Sequence, residues 1–134
     1  FAADPQEQGY DFKHDMQDTN SEQLIQYVQD SGMVGLGGAA FPTHVKLSVP
    51  PEHKVDTLVV NGCECEPYLT TDHRLMLEYP ERLLNGINML MKVLQVKQAY
   101  IGIEDNKMDA VEAINAKLSG FEHRYCSTDY EGGR

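Results

Sequence analysis

Residues 80–103, PERLLNGINMLMKVLQVKQAYIGI, set a helix and a strand side by side and decide the fold. Pro80 suits a first helical turn, where the missing N–H is no loss. Leu83, Leu84, Ile87, Leu90, Met91 and Leu94 then recur at helical spacing and form one apolar stripe, which predicts a helix to about Gln95. Ala99 to Ile103 is too short and too apolar for another helix and reads as a strand.

The same alternation extends in both directions. Upstream, Thr57 to Val60 is a compact apolar run with polar flanks, expected to be a buried strand. Downstream, Lys107 to Leu118 places Val111, Ile114 and Leu118 on one helical side, and Phe121 to Cys126 is expected to form a third strand. Strand, helix, strand, helix, strand implies an α/β fold of Rossmann-like, three-layer type, with a small, mostly parallel sheet and right-handed crossovers. Ligands of such sheets bind beyond the carboxyl ends of the strands, where Asn61 to Pro67 leaves the first one. Nearer the start, Asn20 is placed to cap a helix over 21–31 that carries Leu24, Ile25 and Val28 and stops at Gly32. Gly32 to Ala40 holds too many glycines for a helix or central strand, and a short helix over Thr43–Leu47 follows Pro42.

With 134 residues, 41% hydrophobic and 24% charged, the chain has the size and composition of one globular domain. A net charge of -10 argues against a nucleic-acid surface, which needs clustered Lys and Arg. No apolar run approaches the roughly 20 residues of a membrane span, so no direct membrane insertion is expected. Residues 1–31 carry seven acids against Lys13 alone. Residues 1–19 are polar and without periodicity. They read as an acidic linker from a preceding domain, and the chain, which starts at Phe1 with no secretory signal, as an excised or processed piece. Cys63, Cys65 and Cys126 give neither an even-numbered disulfide framework nor the spacing of a metal site, so a reducing compartment and no bound metal are expected.

Two stretches carry chemistry. Gly35 to Lys46, GLGGAAFPTHVK, is a glycine loop that lets backbone N–H groups converge on an anion, with Lys46 able to reach back as a point charge. By themselves the glycines are more often a tight structural turn that lets backbones pack closely. The loop is not a Walker loop, having no Gly-Lys-Ser/Thr, and it precedes its strand, unlike a dinucleotide-binding fingerprint. The second stretch is Asn61 to Tyr68, NGCECEPY, where Glu64 and Glu66 would project the same way from an extended backbone and could accept hydrogen bonds from ribose hydroxyls or ring N–H groups. A pair of solvated acids is the plain alternative.

Taken together, the two stretches resemble the flavin fold shared by the NADH-oxidising flavoprotein subunit of respiratory complex I and the C subunit of the Rnf electron-transport complex. The Rnf protein is the nearer resemblance, carried by Gly35 through Leu47, Asn61-Gly62, Glu64 through Tyr68, Asp72 with Arg74-Leu75-Met76, and Ile101 through Lys107, within about residues 20–118. The resemblance implies that 20–134 is the N-terminal part of an FMN/NADH-binding domain. FMN would be held by Gly35, Gly37, Gly38, Lys46, Asn61 and Glu64, and NADH placed by Phe41 and Glu66. No catalytic side chain is implied, since the flavin carries the chemistry. Hydride would pass from NADH to flavin, and single electrons to 4Fe-4S clusters in a C-terminal part of the parent. Other Rnf subunits would be partners, on the cytoplasmic side of the bacterial inner membrane.

Cys63 stands where complex I subunits carry an acid, Leu36 replaces an arginine, and Ala40 a frequent glycine. A left-handed backbone at Ala40 would cost about 1–2 kcal/mol. Because the later flavin contacts fall beyond Arg134, the isolated chain is expected to be inactive. Two rivals remain: the flavin domain of a cobalamin reductase of bacterial microcompartments, and a non-catalytic docking module using the acidic arm.

Overall fold

The computed structural model describes residues 19–36, 38–64, 66–118 and the strand at 125–128. Most of the 1–19 linker, Gly37 of the glycine loop and Cys65 therefore lie outside the described residues. The chain divides into two compact units, Phe1–Val49 and Pro50–Arg134.

In the first unit, α1 spans Ser21–Asp30. Its start is fixed by a reciprocal capping box: the Asn20 side chain accepts from the Gln23 N–H at 2.8 Å, and the Gln23 side chain accepts from the Asn20 N–H at 3.1 Å. Its end is fixed by Gly32, in the left-handed region at φ +66, whose N–H returns to the Gln29 carbonyl. Helix α2 is the expected short turn, Thr43–Leu47, with Pro42 as its cap. Leu24 and Leu47 are buried.

The second unit runs β1 (Thr57–Asn61), α3 (Thr71–Glu78), α4 (Pro80–Leu94), β2 (Gln98–Gly102), α5 (Met108–Asn115) and β3 (Tyr125–Thr128), with one 3-10 turn over Asp105–Lys107. The strands form a parallel sheet in the order β1-β2-β3, with Thr57 opposite Gln98 and Asn61 opposite Gly102. The α/β class and the parallel sheet are thus as the alternating pattern demands. The described part of the third strand is Tyr125–Thr128, and residues 121–124 of the expected strand lie outside the described ones.

One core joins the helices to one sheet face. Leu84, Ile87 and Met91 of α4 meet Ala99 and Ile101 of β2, Ala110 and Ile114 of α5, and Met76 of α3. Each fully buried large side chain contributes about 1.5–3 kcal/mol, so this face supplies most of the unit's stability. Strand β1 departs from expectation. It is an edge strand, half-buried, and Val59 is 71% exposed on the face opposite the core. The helices described in this unit cover the core-facing side of the sheet.

Helix α3 has no counterpart among the elements expected from sequence. Thr70 makes no side-chain cap, and no periodic apolar stripe marks the segment. Its N-terminus is satisfied instead by a carboxylate from outside the helix, that of Glu64.

Helix α4 ends at Gln95 in the left-handed conformation, φ 56 and ψ 33. Glycine is at ease there and glutamine is not. Gln95→Gly is expected to raise unfolding stability by about 0.5–1 kcal/mol in urea titrations; a loss of stability would show that the Gln95 side chain makes contacts worth more than the backbone strain.

Candidate functional site

The glycine loop of the first unit is pinned at its base and open at its tip. Val34 and Pro42 form an antiparallel bridge, the Gly35 N–H donates to the Phe41 carbonyl at 2.9 Å, and the Thr43 N–H donates to the Met33 carbonyl at 3.0 Å. Between these bonds Leu36 is almost fully exposed. Among the described residues of the turn, Gly38 at φ +88 and Ala40 at φ 47 have left-handed backbone. Ala40 therefore bears the strain anticipated for a non-glycine residue there.

Lys46 returns over this loop. Its Nζ lies 5.9 Å from the centroid of the Phe41 ring, and a Cβ added to Gly35 would stand only 3.2 Å from it. Gly35 thus leaves room for the ammonium group. Among the described residues Lys46 forms no ion pair with a carboxylate, which leaves its charge available to an anion.

In the second unit the chain leaving β1 does not continue as an extended strand. The Asn61 side chain folds back to accept from the Cys63 N–H at 3.0 Å. The Gly62 N–H donates to the Gly102 carbonyl at 2.8 Å, and a Cβ on Gly62 would lie 2.9 Å from that same oxygen. Only glycine allows this approach. The expected parallel projection of Glu64 and Glu66 fails for this reason: the backbone turns, Glu64 is drawn inward, and Glu66 stays on the surface.

Glu64 is the centre of a bonded set that the sequence did not reveal. One carboxylate oxygen accepts from the Asp72 N–H at 2.7 Å and so caps α3; the other accepts from Lys107 Nζ at 2.8 Å. Lys107 also reaches Glu104 at 2.5 Å, and Glu104 accepts from the Glu64 N–H at 3.4 Å. The Lys107 and Glu64 side chains are only 12% and 5% exposed. Nearby, His73 and Asp109 meet at 2.9 Å and link α3 to α5. Loops from the carboxyl ends of β1 and β2 thus converge, as the parallel sheet led us to expect.

The charges follow from these bonds. The Lys107 ammonium holds the Glu64 carboxyl below its ordinary value of 4.5, with burial opposing and the Asp72 N–H assisting. Lys107 likewise holds Glu104 low. Hydrogen bonds to Glu104 and then to Glu64 raise Lys107 above 10.5. All three are ionised at neutral pH, and the set carries one net negative charge.

A small parallel sheet with polar side chains gathered at its carboxyl ends is the architecture of the nucleotide-binding α/β proteins. Residues 28–129 match the family described as the Nuo51 FMN-binding domain, and the chain belongs to that family. Among its relatives, the C subunit of the Na(+)-translocating ferredoxin:NAD(+) oxidoreductase complex of Acetobacterium woodii is 50% identical over 99 residues, 74% of this chain and 22% of the relative. The C subunit of the ion-translocating oxidoreductase complex of Haemophilus influenzae is 43% identical over 122 residues, 89% of this chain and 15% of the relative. The chain therefore spans a fifth or less of the length of many of these relatives. The fold is also that of part of an NAD+-reducing [NiFe]-hydrogenase, with a TM-score of 0.65 at 22% identity over 84% of this chain and 21% of that one. Among the described residues no helix is long and apolar enough to cross a membrane.

The bonded set contributes to the pH response of the fold, together with Glu81 and Asp109, which Lys117 and His73 also hold low. Folded values of Glu64 and Glu104 lie below 4.5, so their contribution is complete above pH 4.5 and is lost as pH falls through the lowered values; Lys107, raised, contributes fully below 10.5. Melting temperature should therefore fall steeply below about pH 4.5, and this acid limb should flatten in Lys107→Met. Equal acid limbs in the two proteins would remove the set from the stability of the fold.

Proposed function

We propose that this chain is the FMN-binding segment of a larger NADH-oxidising electron-transport subunit, with residues 1–19 linking it to a preceding domain and 20–134 opening the FMN/NADH domain. The observation that carries the reading is the pinned glycine loop with a lysine folded over it that pairs with no carboxylate among the described residues, in a chain whose family is an FMN-binding domain.

The residues present suit the cofactor's chemistry. A phosphate needs backbone N–H groups, space and a cation; Gly35 provides the space beneath Lys46, and Gly37 and Gly38 free the backbone. Lys46 in this role neutralises phosphate. Asn61 and Glu64 serve the hydroxyls or ring N–H groups, because a carboxylate only accepts. Phe41, half exposed, is suited to stack on a flat ring, and exposed Glu66 to take ribose hydroxyls of NADH. When bound, FMN would supply the conversion of a two-electron hydride into single electrons for 4Fe-4S clusters elsewhere in the parent.

The names of the relatives support a place among the subunits of an ion-translocating oxidoreductase complex, and we propose that the protein lies peripherally on the cytoplasmic face of the bacterial inner membrane. The isolated 134-residue chain is inactive in this reading.

The full-length protein should purify yellow, with a flavin spectrum bleached by NADH. Lys46→Ala in that protein should weaken FMN at least tenfold, the loss of roughly 1.5–3 kcal/mol for a charge-assisted hydrogen bond, as read by flavin fluorescence. A full-length protein that takes up no FMN would overturn the proposal.

A further inference from the structure

We infer that Lys107 is a positioning residue that commits Glu64 to a hydrogen-bond donor of the ligand, a hydroxyl or ring N–H, and against its phosphate. The inference rests on the proposed assignment of Glu64 to FMN, and it concerns a residue outside that set of contacts.

A carboxylate in a half-buried turn is free to rotate or to take up a proton unless both oxygens are occupied. Glu64 has both occupied, by the Asp72 N–H at 2.7 Å and by Lys107 Nζ at 2.8 Å. These bonds, with a further one from the His73 backbone N–H, fix the plane of the group and keep it ionised, while the carboxylate, with about four acceptor positions, retains capacity for one more donor. An ionised carboxylate has no proton to donate, so the remaining lone pairs select a donor. Glu104 strengthens the selection. It shares the same ammonium at 2.5 Å, so two acids surround one base and a phosphate meets net repulsion.

The shared ammonium also explains why a lysine serves. Its Nζ carries three donors on a compact charge and accommodates two carboxylates that are not coplanar. Lys107 stands 43 residues from Glu64, on the turn that opens α5, so its own flanking sequence gives no sign of the partnership.

The test uses the full-length protein loaded with FMN, comparing Glu64→Gln, Lys107→Met, Lys107→Arg and the double variant Glu64→Gln/Lys107→Met. Flavin fluorescence gives the FMN dissociation constant, and a redox titration gives the midpoint potential. Glu64→Gln and Lys107→Met should each weaken FMN about tenfold. The double variant should be no weaker than Glu64→Gln, since Lys107 acts through Glu64. Lys107→Met should also make the FMN potential more negative, because two uncompensated acids disfavour the reduced, more negative flavin; Lys107→Arg should restore both readouts most of the way. If Lys107→Met does not fold, the double variant, which leaves neither Glu64 nor Lys107 charged, carries the comparison with Glu64→Gln.

A wild-type dissociation constant and potential in Lys107→Met, with Glu64→Gln weakened, overturns the inference alone. A double variant several-fold weaker than Glu64→Gln overturns it too, by giving Lys107 a contact of its own. An unchanged dissociation constant in Glu64→Gln removes Glu64 from the cofactor and takes the inference down with that assignment.

Discussion

The ion pair between Glu64 and Lys107 is the interaction on which the second unit's functional end depends. It ties the loop after β1 to the loop after β2 and caps α3 through the Asp72 N–H, all with one carboxylate. A half-buried pair of this kind is costly to desolvate, and its attraction alone need not stabilise. Here each charge has further bonds, Glu64 to a backbone N–H and Lys107 to Glu104, so no lone charge is left buried. The arrangement defines where the loops lie more than how stable they are.

The backbone makes the pair attainable. Gly62 comes so close to the Gly102 carbonyl that a side chain would collide with it, and this contact turns the chain inward at the end of β1. Asn61 completes the turn by bonding the Cys63 N–H. Asn61, an expected ligand contact, thus also has a local structural duty, a common economy where a backbone must bend sharply next to a site.

The two chemical stretches differ in charge as well as in unit. The glycine loop offers a positive Lys46 that pairs with no carboxylate among the described residues, the setting for an anion. The Glu64 cluster is negative and internally satisfied, the setting for hydrogen-bond donors. Phosphate groups suit the first setting and hydroxyl or ring N–H groups the second, and the family to which the chain belongs is an FMN-binding domain.

What the sequence determined by itself is what local physics decides. The Asn20 cap and the Gly32 stop fixed α1 to within a residue, the apolar stripe of 83–94 fixed α4, and the alternation of short apolar runs fixed a parallel α/β sheet. The glycine loop could be seen because it follows from backbone preference, and the strain at Ala40 was anticipated only through the family resemblance, in which a glycine is frequent there. Tertiary structure decided the rest. That β1 is an edge strand depends on which strands pair, which its composition cannot say. That Glu64 faces inward while Glu66 does not depends on the closure of Gly62 onto Gly102, 40 residues away. Helix α3 and the role of Lys107 were hidden for the same reason: the cap of one and the partner of the other are supplied by a side chain distant in the chain, and no local pattern records a bond whose two halves meet only after folding.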